Sequence, residues 1–331
     1  MTTSPLSLAL PAGDTDLAEL RPRLGDDDPT VRRLALIELA ELEDEAHTPW
    51  LVAALSDSAA EVRAEAADRL ADRESPESVR ALLARLEDDD ASVRAAAAHS
   101  LTEVRAPENG ELLVAALDTA RGATRARVLH ALRELRLPSS FSPALAAVDA
   151  VEAEVRLEAV GVLGWLKQPA ALPALMRLAA GDADADVRRA AVGALGLATD
   201  DAVLPALLQA LADPVWQVRE EAATTLGKLR LAGAGPALIA ALDDSYWQVR
   251  QRVVRTLGRL KDSRALEAVV ASALFHSSAN LRKEAAIALG EIGDAGALAP
   301  LAQAASDADP EVRKSARLAI AQIQAGAAVK S

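Results

Sequence analysis

Hydrophobic positions recur along this chain with a period close to 31 residues. A Val-Arg pair, or a close variant of it, marks each period, and an aliphatic residue follows eight places after the first member of every pair. The pairs begin at Val31, Val62, Val93, Thr124, Val155, Val187, Val218, Val249, Leu281 and Val312. Ten units in register, 31 or 32 residues apart, predict tandem repeats along nearly the whole chain.

Each unit contains two apolar helical segments separated by an acidic turn. When the first residue of the pair is numbered 0 and each residue advances about 100° around a helix, positions 0, 4 and 8 share one face. Those positions are aliphatic or alanine in all units, apart from Thr124. Positions 2, 3, 6 and 10 vary freely and occupy the opposite arc. The pattern predicts an all-α fold of helix-turn-helix repeats, with fixed positions between helices and variable positions on the surface.

The turns carry a second regular feature, an aspartate five places before most pairs. Such an aspartate suits a position at or just before a helix N-cap. We expect the arginine of each pair to bind the aspartate of its own or the neighbouring repeat, rather than a ligand. The aspartates are Asp26, Asp57, Asp88, Asp182, Asp213, Asp244 and Asp307. Glycine one place after the aliphatic position, as at Gly227, Gly258 and Gly290, predicts that the second helix ends there.

The units DPVWQVREEAATTLGKLR and DDSYWQVRQRVVRTLGRLKD resemble the HEAT-like repeat of bilin-attaching phycobilisome (PBS) lyases, including its D-x4-VR-x-AA-x2-LG pattern. The resemblance covers the chain from about Asp14 to Gln324. It implies a right-handed α-solenoid, a HEAT/armadillo-like superhelix of ten two-helix repeats whose second helices line the concave face. We therefore expect one solenoid domain at residues 14–324, between flexible tails at 1–13 and 325–331.

Composition and charge narrow the possible functions. The chain has no cysteine, which excludes disulfides and cysteine-ligated metal sites. It has neither a basic N-terminal signal region nor an apolar run long enough to cross a bilayer, so we expect a cytoplasmic protein without membrane contact. Arginine makes up 30 of the 36 basic residues, a usage typical of GC-rich bacterial genomes.

Charge is distributed unevenly between the two halves of the sequence. Residues 1–165 hold 31 acidic and 17 basic side chains, a net charge of −14, while the remaining 18 acidic and 19 basic side chains give +1. An acidic field of this size repels phosphate backbones, which disfavours nucleic-acid binding unless the C-terminal half carries a basic stripe.

The candidate binding site is aromatic and basic. Trp216, Tyr246 and Trp247 lie in the turns of two adjacent units, and other units have small residues or proline at the position of the tryptophans. Cationic side chains follow on the variable positions nearby: Lys228, Arg252, Arg255, Arg259 and Lys283. Tryptophan and arginine are enriched at binding hot spots, so we predict that this patch binds a partner protein with an acidic segment. In the alternative interpretation the tryptophans pack against the next repeat and the arginines are simply solvated.

A second candidate is a metal site. His99, Glu103, His130 and Glu134 occupy matching positions of two consecutive second helices, where they could converge on one ion. The alternative is that these side chains share a solvated helix face, and we expect no metal or other cofactor. No histidine is followed directly by glutamate, which excludes the di-iron pairs of deoxyhypusine hydroxylase, another protein that resembles this repeat pattern.

These patterns predict a non-catalytic scaffold or adaptor that binds a partner protein through its concave face. No catalytic triad, phosphate-binding loop or dinucleotide fingerprint occurs in the sequence. Two alternatives stay open: a bilin lyase-like or other prosthetic-group attachment or assembly factor, which the resemblance permits, and nucleic-acid binding through the C-terminal basic stripe. The sequence leaves the oligomeric state undetermined, and also whether the poorly matching fourth and fifth units form a hinge.

Overall fold

The computed structural model describes residue 8 and residues 14–330, with side chains as far as residue 327. All regular elements in this part of the chain are helical, which confirms the predicted all-α fold of ten helix pairs. The first helices of the repeats are α1 (Thr15–Leu24), α3 (Thr48–Ala54), α5 (Pro76–Arg85), α7 (Pro107–Ala116), α9 (Phe141–Ala147), α11 (Leu172–Gly181), α13 (Leu204–Leu211), α15 (Gly235–Ala240), α17 (Leu266–Val269) and α19 (Leu298–Ala304). The second helices are α2 (Pro29–Glu41), α4 (Ala60–Arg69), α6 (Ala91–Leu101), α8 (Gly122–Leu132), α10 (Ala153–Leu166), α12 (Ala185–Ala194), α14 (Trp216–Leu229), α16 (Trp247–Leu260), α18 (Ala279–Ile292) and α20 (Pro310–Lys330).

The chain divides into two compact units of five repeats each, Met1–Leu166 and Lys167–Ser331. Within each unit, every second helix packs against its own first helix and against the second helices before and after it. Each unit is therefore a two-layer stack of helix pairs. The sequence predicted a single solenoid over residues 14–324, whereas the contacts group its repeats in two sets of five. The predicted tail at 1–13 lies outside the described residues except for Leu8, and residues 325–330 continue α20 as helix.

The fixed positions of the repeat form the core of each unit. All ten residues at position 4, eight of them alanine and two valine, are completely buried. Nine of the ten residues at position 8 are also buried, from Leu39 in the first repeat to Leu289 in the ninth. Small side chains at position 4 suit this burial because they let adjacent second helices approach closely.

Arginine and aspartate side chains join successive repeats in an arrangement that we call the arginine–aspartate ladder. Nε and Nη2 of Arg63 donate to the two carboxylate oxygens of Asp88 in the next repeat, at 2.9 and 2.7 Å. Nη1 of the same arginine donates to the carbonyl oxygens of Asp57 and Ser58 in its own turn. Equivalent pairs are Arg32–Asp57, Arg188–Asp213, Arg219–Asp244 and Arg282–Asp307. The ladder confirms the predicted pairing and assigns it to the neighbouring repeat.

The ladder is interrupted in the middle of the first unit because the aspartate is absent there. Its position holds Thr119 in the fourth repeat and Ala150 in the fifth. Arg94 therefore bonds only to carbonyl oxygens of its own turn among the described residues. The Nε of Arg125 is buried and has no hydrogen-bond partner.

The ninth repeat departs from the others in its first helix. Helix α17 has four residues and continues as a π-helical turn, Val270–Leu274. The pairs at Val249 and Leu281 are 32 residues apart, and a π-turn accommodates one extra residue without ending the helix. His276 then occupies the aspartate position, with its Nε2 atom 3.2 Å from Nη2 of Arg250.

The glycines that were predicted to end the second helices lie inside them. Helices α14, α16 and α18 continue past these glycines for two more residues, and two of them end at the left-handed residues Arg230 (φ 54°) and Lys261 (φ 53°). The prediction was wrong because the glycines serve a packing role. A Cβ atom on Gly258 would lie 2.8 Å from the Cα of Ala288 in the next second helix, closer than carbon atoms can pack.

Candidate functional site

The predicted aromatic residues lie at the start of two adjacent second helices. Trp216 begins α14 and Trp247 begins α16, with Tyr246 as the N-cap residue just before it. The rings of Trp216 and Tyr246 stack with centroids 5.4 Å apart and planes 14° from parallel. Trp216 thus packs against the next repeat, as the structural interpretation predicted. Tyr246 and Trp247 differ from it because they remain 44% and 46% exposed.

The ladder holds this aromatic pair in place. Asp244 accepts the backbone N–H of Tyr246 at 2.8 Å and also receives Arg219, whose guanidinium lies 5.6 Å from the centre of the Tyr246 ring. Burial alone would raise the pKa of Asp244, but the hydrogen bonds from Arg219 and from the Tyr246 backbone outweigh it and lower the pKa below its usual value. Asp244 is therefore an anion that fixes the backbone under the tyrosine.

Two of the five predicted cations are not available to a partner. Arg255 donates to both carboxylate oxygens of Glu284 on the next second helix, at 2.6 and 2.7 Å, and Glu284 is only 3% exposed. Arg252 donates to Glu220 on the preceding second helix at 3.1 Å. The predicted basic stripe is therefore corrected: these arginines join neighbouring helices, in the way that the ladder arginines do.

The other three cations are unpaired. Lys228, Arg259 and Lys283 have no ion pair within residue 8 and residues 14–327, and Lys228 and Arg259 are exposed. The Lys228 side chain runs across Gly196, where an added Cβ would lie 2.7 Å from its Nζ atom. We define the aromatic–cationic patch as Trp216, Tyr246, Trp247, Lys228, Arg259 and Lys283. Lys228 and Arg259 lie near the ends of α14 and α16, about 18 Å along each helix from the tryptophan that begins it.

The sequence matches the family model of HEAT repeats over residues 17–102, 110–195, 177–245 and 235–321. The chain belongs to the HEAT-repeat family. The match confirms the class of repeat and does not single out the phycobilisome lyase type. Among curated proteins no match is found.

Solved structures with a similar fold include other HEAT-like solenoids. An engineered protein is 21% identical, with 93% of this chain and 99% of that chain covered and a TM-score of 0.53. YibA of E. coli is 20% identical, with 87% and 95% covered and a TM-score of 0.51. Kap95p, in a structure with RanGDP, is 14% identical, with 93% and 50% covered and a TM-score of 0.63. At these identities the similarity shows the HEAT solenoid fold alone.

The structure does not assemble the predicted metal site. Nδ1 of His130 lies 3.1 Å from an oxygen of Glu158, and Glu103 forms an ion pair with Arg105 at 2.9 Å. Neither His99 nor Glu134 joins them, and in the described part of the chain no group of three or more histidine, aspartate or glutamate side chains is placed to hold a metal ion.

No described helix is both long and apolar enough to span a bilayer.

One exposed aromatic residue escaped the sequence analysis. Phe275 is 47% exposed in the turn of the ninth HEAT repeat, directly after the π-helical turn. It continues the series of turn aromatics that Trp216 begins in the seventh repeat. The available signal was the residue type, since the residue directly before the aspartate position is glycine, serine, alanine or an acid in the other nine repeats.

Proposed function

We propose that this HEAT solenoid is a non-catalytic scaffold that binds a partner protein through its aromatic–cationic patch. The observation that carries the proposal is the exposure of Tyr246 and Trp247, two large aromatic side chains that lie next to each other and are each almost half exposed. HEAT solenoids commonly serve as protein-interaction scaffolds. Kap95p, which has a similar fold, binds the protein RanGDP.

Tyr246 is prepared for binding because its position is fixed before a partner arrives. It stacks on Trp216, and its backbone is bonded to Asp244, so little rotamer freedom remains to be lost. Covering the exposed half of each ring, roughly 100 Å², would stabilise a complex by about 2 kcal/mol per ring. Two such rings side by side are enough to act as a hot spot.

The unpaired cations farther along the same helices support a partner with an acidic segment. Lys228, Arg259 and Lys283 are unpaired, whereas the nearby acids Glu220 and Glu284 are already bonded to arginines. Carboxylates of a partner would therefore meet cations that are not held in ion pairs, although Glu221 also interacts electrostatically with Lys228. In this proposal the variable arc of the second helices, predicted to line the concave face, forms the binding surface.

A quantitative pull-down tests the proposal. Wild type, Tyr246→Ala/Trp247→Ala and the control Trp165→Ala serve as immobilised baits, and captured proteins are measured by mass spectrometry. Trp165 is also exposed (37%), but it lies in the first unit beneath the guanidinium of Arg136, 4.7 Å from its ring centre. We expect a partner that wild type and Trp165→Ala retain and the double variant loses. Equal recovery of all partners by the three baits would refute the site.

The two alternative functions, bilin attachment and nucleic-acid binding, stay predictions. Bilin attachment is testable by reconstitution with a bilin and an apo-phycobiliprotein, scored for a coloured adduct. Nucleic-acid binding predicts retention on heparin at low salt with steep salt dependence, although the pairing of Arg252 and Arg255 leaves less free positive charge than the sequence indicated. A role as an assembly factor, the cytoplasmic location and the bacterial origin also stay predictions.

A further inference from the structure

The joints between repeats follow a fixed register on the second helices. Position 6 of one helix faces position 3 of the next, as where His130 meets Glu158 at 3.1 Å. Position 5 meets position 7, since the hydroxyl of Thr256 donates to the carbonyl oxygen of Ala223 at 2.7 Å. The third contact is the ladder, in which the arginine at position 1 binds the aspartate five places before the next pair. A joint is therefore described by three position pairs.

The first repeat carries one half of such a joint with no repeat before it in the described chain. Leu34 at position 3 is 47% exposed. Glu38 at position 7 is bonded to Arg23, yet its side chain is still 48% exposed. Asp26 takes the ladder position but is exposed, and its carboxylate receives no arginine among the described residues, whereas its counterpart Asp57 is only 6% exposed.

The last repeat carries the opposite half. Leu318 at position 6 is 62% exposed, and Arg317 at position 5 is exposed where the other nine repeats have alanine, valine or leucine. Arg313 donates its Nη1 to the carbonyl oxygens of Asp307 and Ala308, as the other ladder arginines do in their own turns. Its Nε and Nη2 atoms, which elsewhere hold the next aspartate, have no acceptor within the described residues.

We propose that the last repeat of one copy of this chain docks on the first repeat of a second copy, so that the joint between repeats continues from chain to chain. The repeat register makes all three position pairs complementary: Leu318 with Leu34, Arg317 with Glu38, and Arg313 with Asp26. One pair is apolar and two unite opposite charges. The net charge of −14 on residues 1–165 adds a long-range attraction for helix α20, in which the bases Arg313, Lys314, Arg317 and Lys330 outnumber the one acid, Glu311.

The contact is head-to-tail because contacts between like ends would be unfavourable. Two last repeats would bring Arg313 and Arg317 against the same arginines, and two first repeats would bring Asp26 and Glu38 against the same acids. A head-to-tail interface is heterologous, and it produces either a closed ring or an open chain of copies. Association should therefore rise with protein concentration and fall with salt.

Sedimentation velocity on the full chain, over a wide range of concentrations at low salt, tests this proposal. Leu318→Asp blocks docking through the last repeat and leaves the first repeat intact, while Leu34→Asp does the reverse. We expect the mean mass of wild type to rise with concentration and each variant to associate about tenfold or more weakly. An equimolar mixture of the two variants should form dimers and nothing larger, since the intact first repeat of one variant can bind only the intact last repeat of the other.

Ile287→Asp is the matched control, because Ile287 occupies position 6 of an internal repeat and is 38% exposed. It should associate as wild type does, and circular dichroism melts of all variants should show unchanged folding. Association that is equally strong in Leu34→Asp and wild type would overturn the head-to-tail contact. So would a wild type that stays monomeric throughout, or a mixture of the two variants that forms no dimer. The aromatic–cationic patch is intact in these variants, so partner binding is tested separately.

Discussion

Successive repeats of the second unit are joined by two features that the middle of the first unit lacks, a glycine where second helices cross and the arginine–aspartate ladder. In repeats six to nine, position 9 of the second helix is glycine, and the ladder is present at three of the four joints. In repeats three and four the same position holds Thr102 and Arg133, and the ladder arginines Arg94 and Arg125 have no aspartate opposite them. One repeat template is therefore joined by close backbone packing and buried ion pairs in one region, whereas another region lacks both and has more exposed contacts such as those of His130 and Arg133 with Glu158.

Filling the close backbone contact should have the largest effect on this comparison. In Gly258→Leu the new side chain would need the space of the Ala288 backbone, since even a Cβ would lie 2.8 Å from its Cα. We expect the free energy of unfolding in urea to fall by about 3 kcal/mol. Gly181→Leu is the control, because nothing lies within 4 Å of a Cβ there. If both variants were equally stable, the glycines would not be packing devices.

Breaking one step of the ladder should cost somewhat less. Asp213→Ala leaves Nε and Nη2 of Arg188 without acceptors at a site where both side chains are largely buried. We expect a loss of about 2 kcal/mol in urea unfolding. Asp118→Ala, at an exposed turn of the first unit where the carboxylate has no arginine partner among the described residues, should change stability by less than about 0.5 kcal/mol. A similar loss in both would mean that turn aspartates stabilise their own turns and not the joints.

The ladder and the packing glycines differ in how well they could be predicted from the sequence. The ladder follows from a constant spacing between arginine and aspartate, so the sequence predicted it, and repetition ten times over left little ambiguity about the helix pairs. The glycines were misread, because a glycine before a helix end and a glycine at a helix crossing give the same local pattern. Only the distance to Ala288 separates them.

The candidate binding site was also predicted only in part, because some of its residues contact a neighbouring helix. A helical wheel treats each helix alone, so Arg255 and Glu284 both appeared on a free variable arc, although the register between helices places them in contact. The stack of Trp216 on Tyr246 also depends on that register, and it assigns one predicted binding residue to packing. Contacts between helices that recur from repeat to repeat were predicted, and contacts that occur only once, at the variable positions, were not.

Adding the missing aspartate should make the first unit more like the second. In Ala150→Asp, the new carboxylate would take the ladder position opposite Arg125, whose buried Nε has no partner. We expect stability to rise by about 1 kcal/mol, a modest gain because the pair must also be desolvated. The same substitution in an Arg125→Ala background should give no gain, which completes a double-mutant cycle. A gain that persists in that background would show that the aspartate acts on its own turn.

The smallest expected effect is a dependence on pH that separates laddered from unladdered joints. The hydrogen bonds from Arg63 lower the pKa of Asp88 below its usual value of 3.8, and burial opposes this only in part. Because the pKa of Asp88 is lower in the folded state, the stabilisation is fully present above pH 3.8 and is lost as the pH falls through the folded value.

Asp88→Asn keeps the shape of the side chain without its charge. The difference in unfolding free energy between wild type and Asp88→Asn should therefore be constant from neutral pH to mildly acidic pH and should shrink below the usual aspartate pKa. A difference that stays constant down to the most acidic pH would mean that Asp88 contributes through hydrogen bonds which survive protonation, and that charge is not what distinguishes the laddered joints.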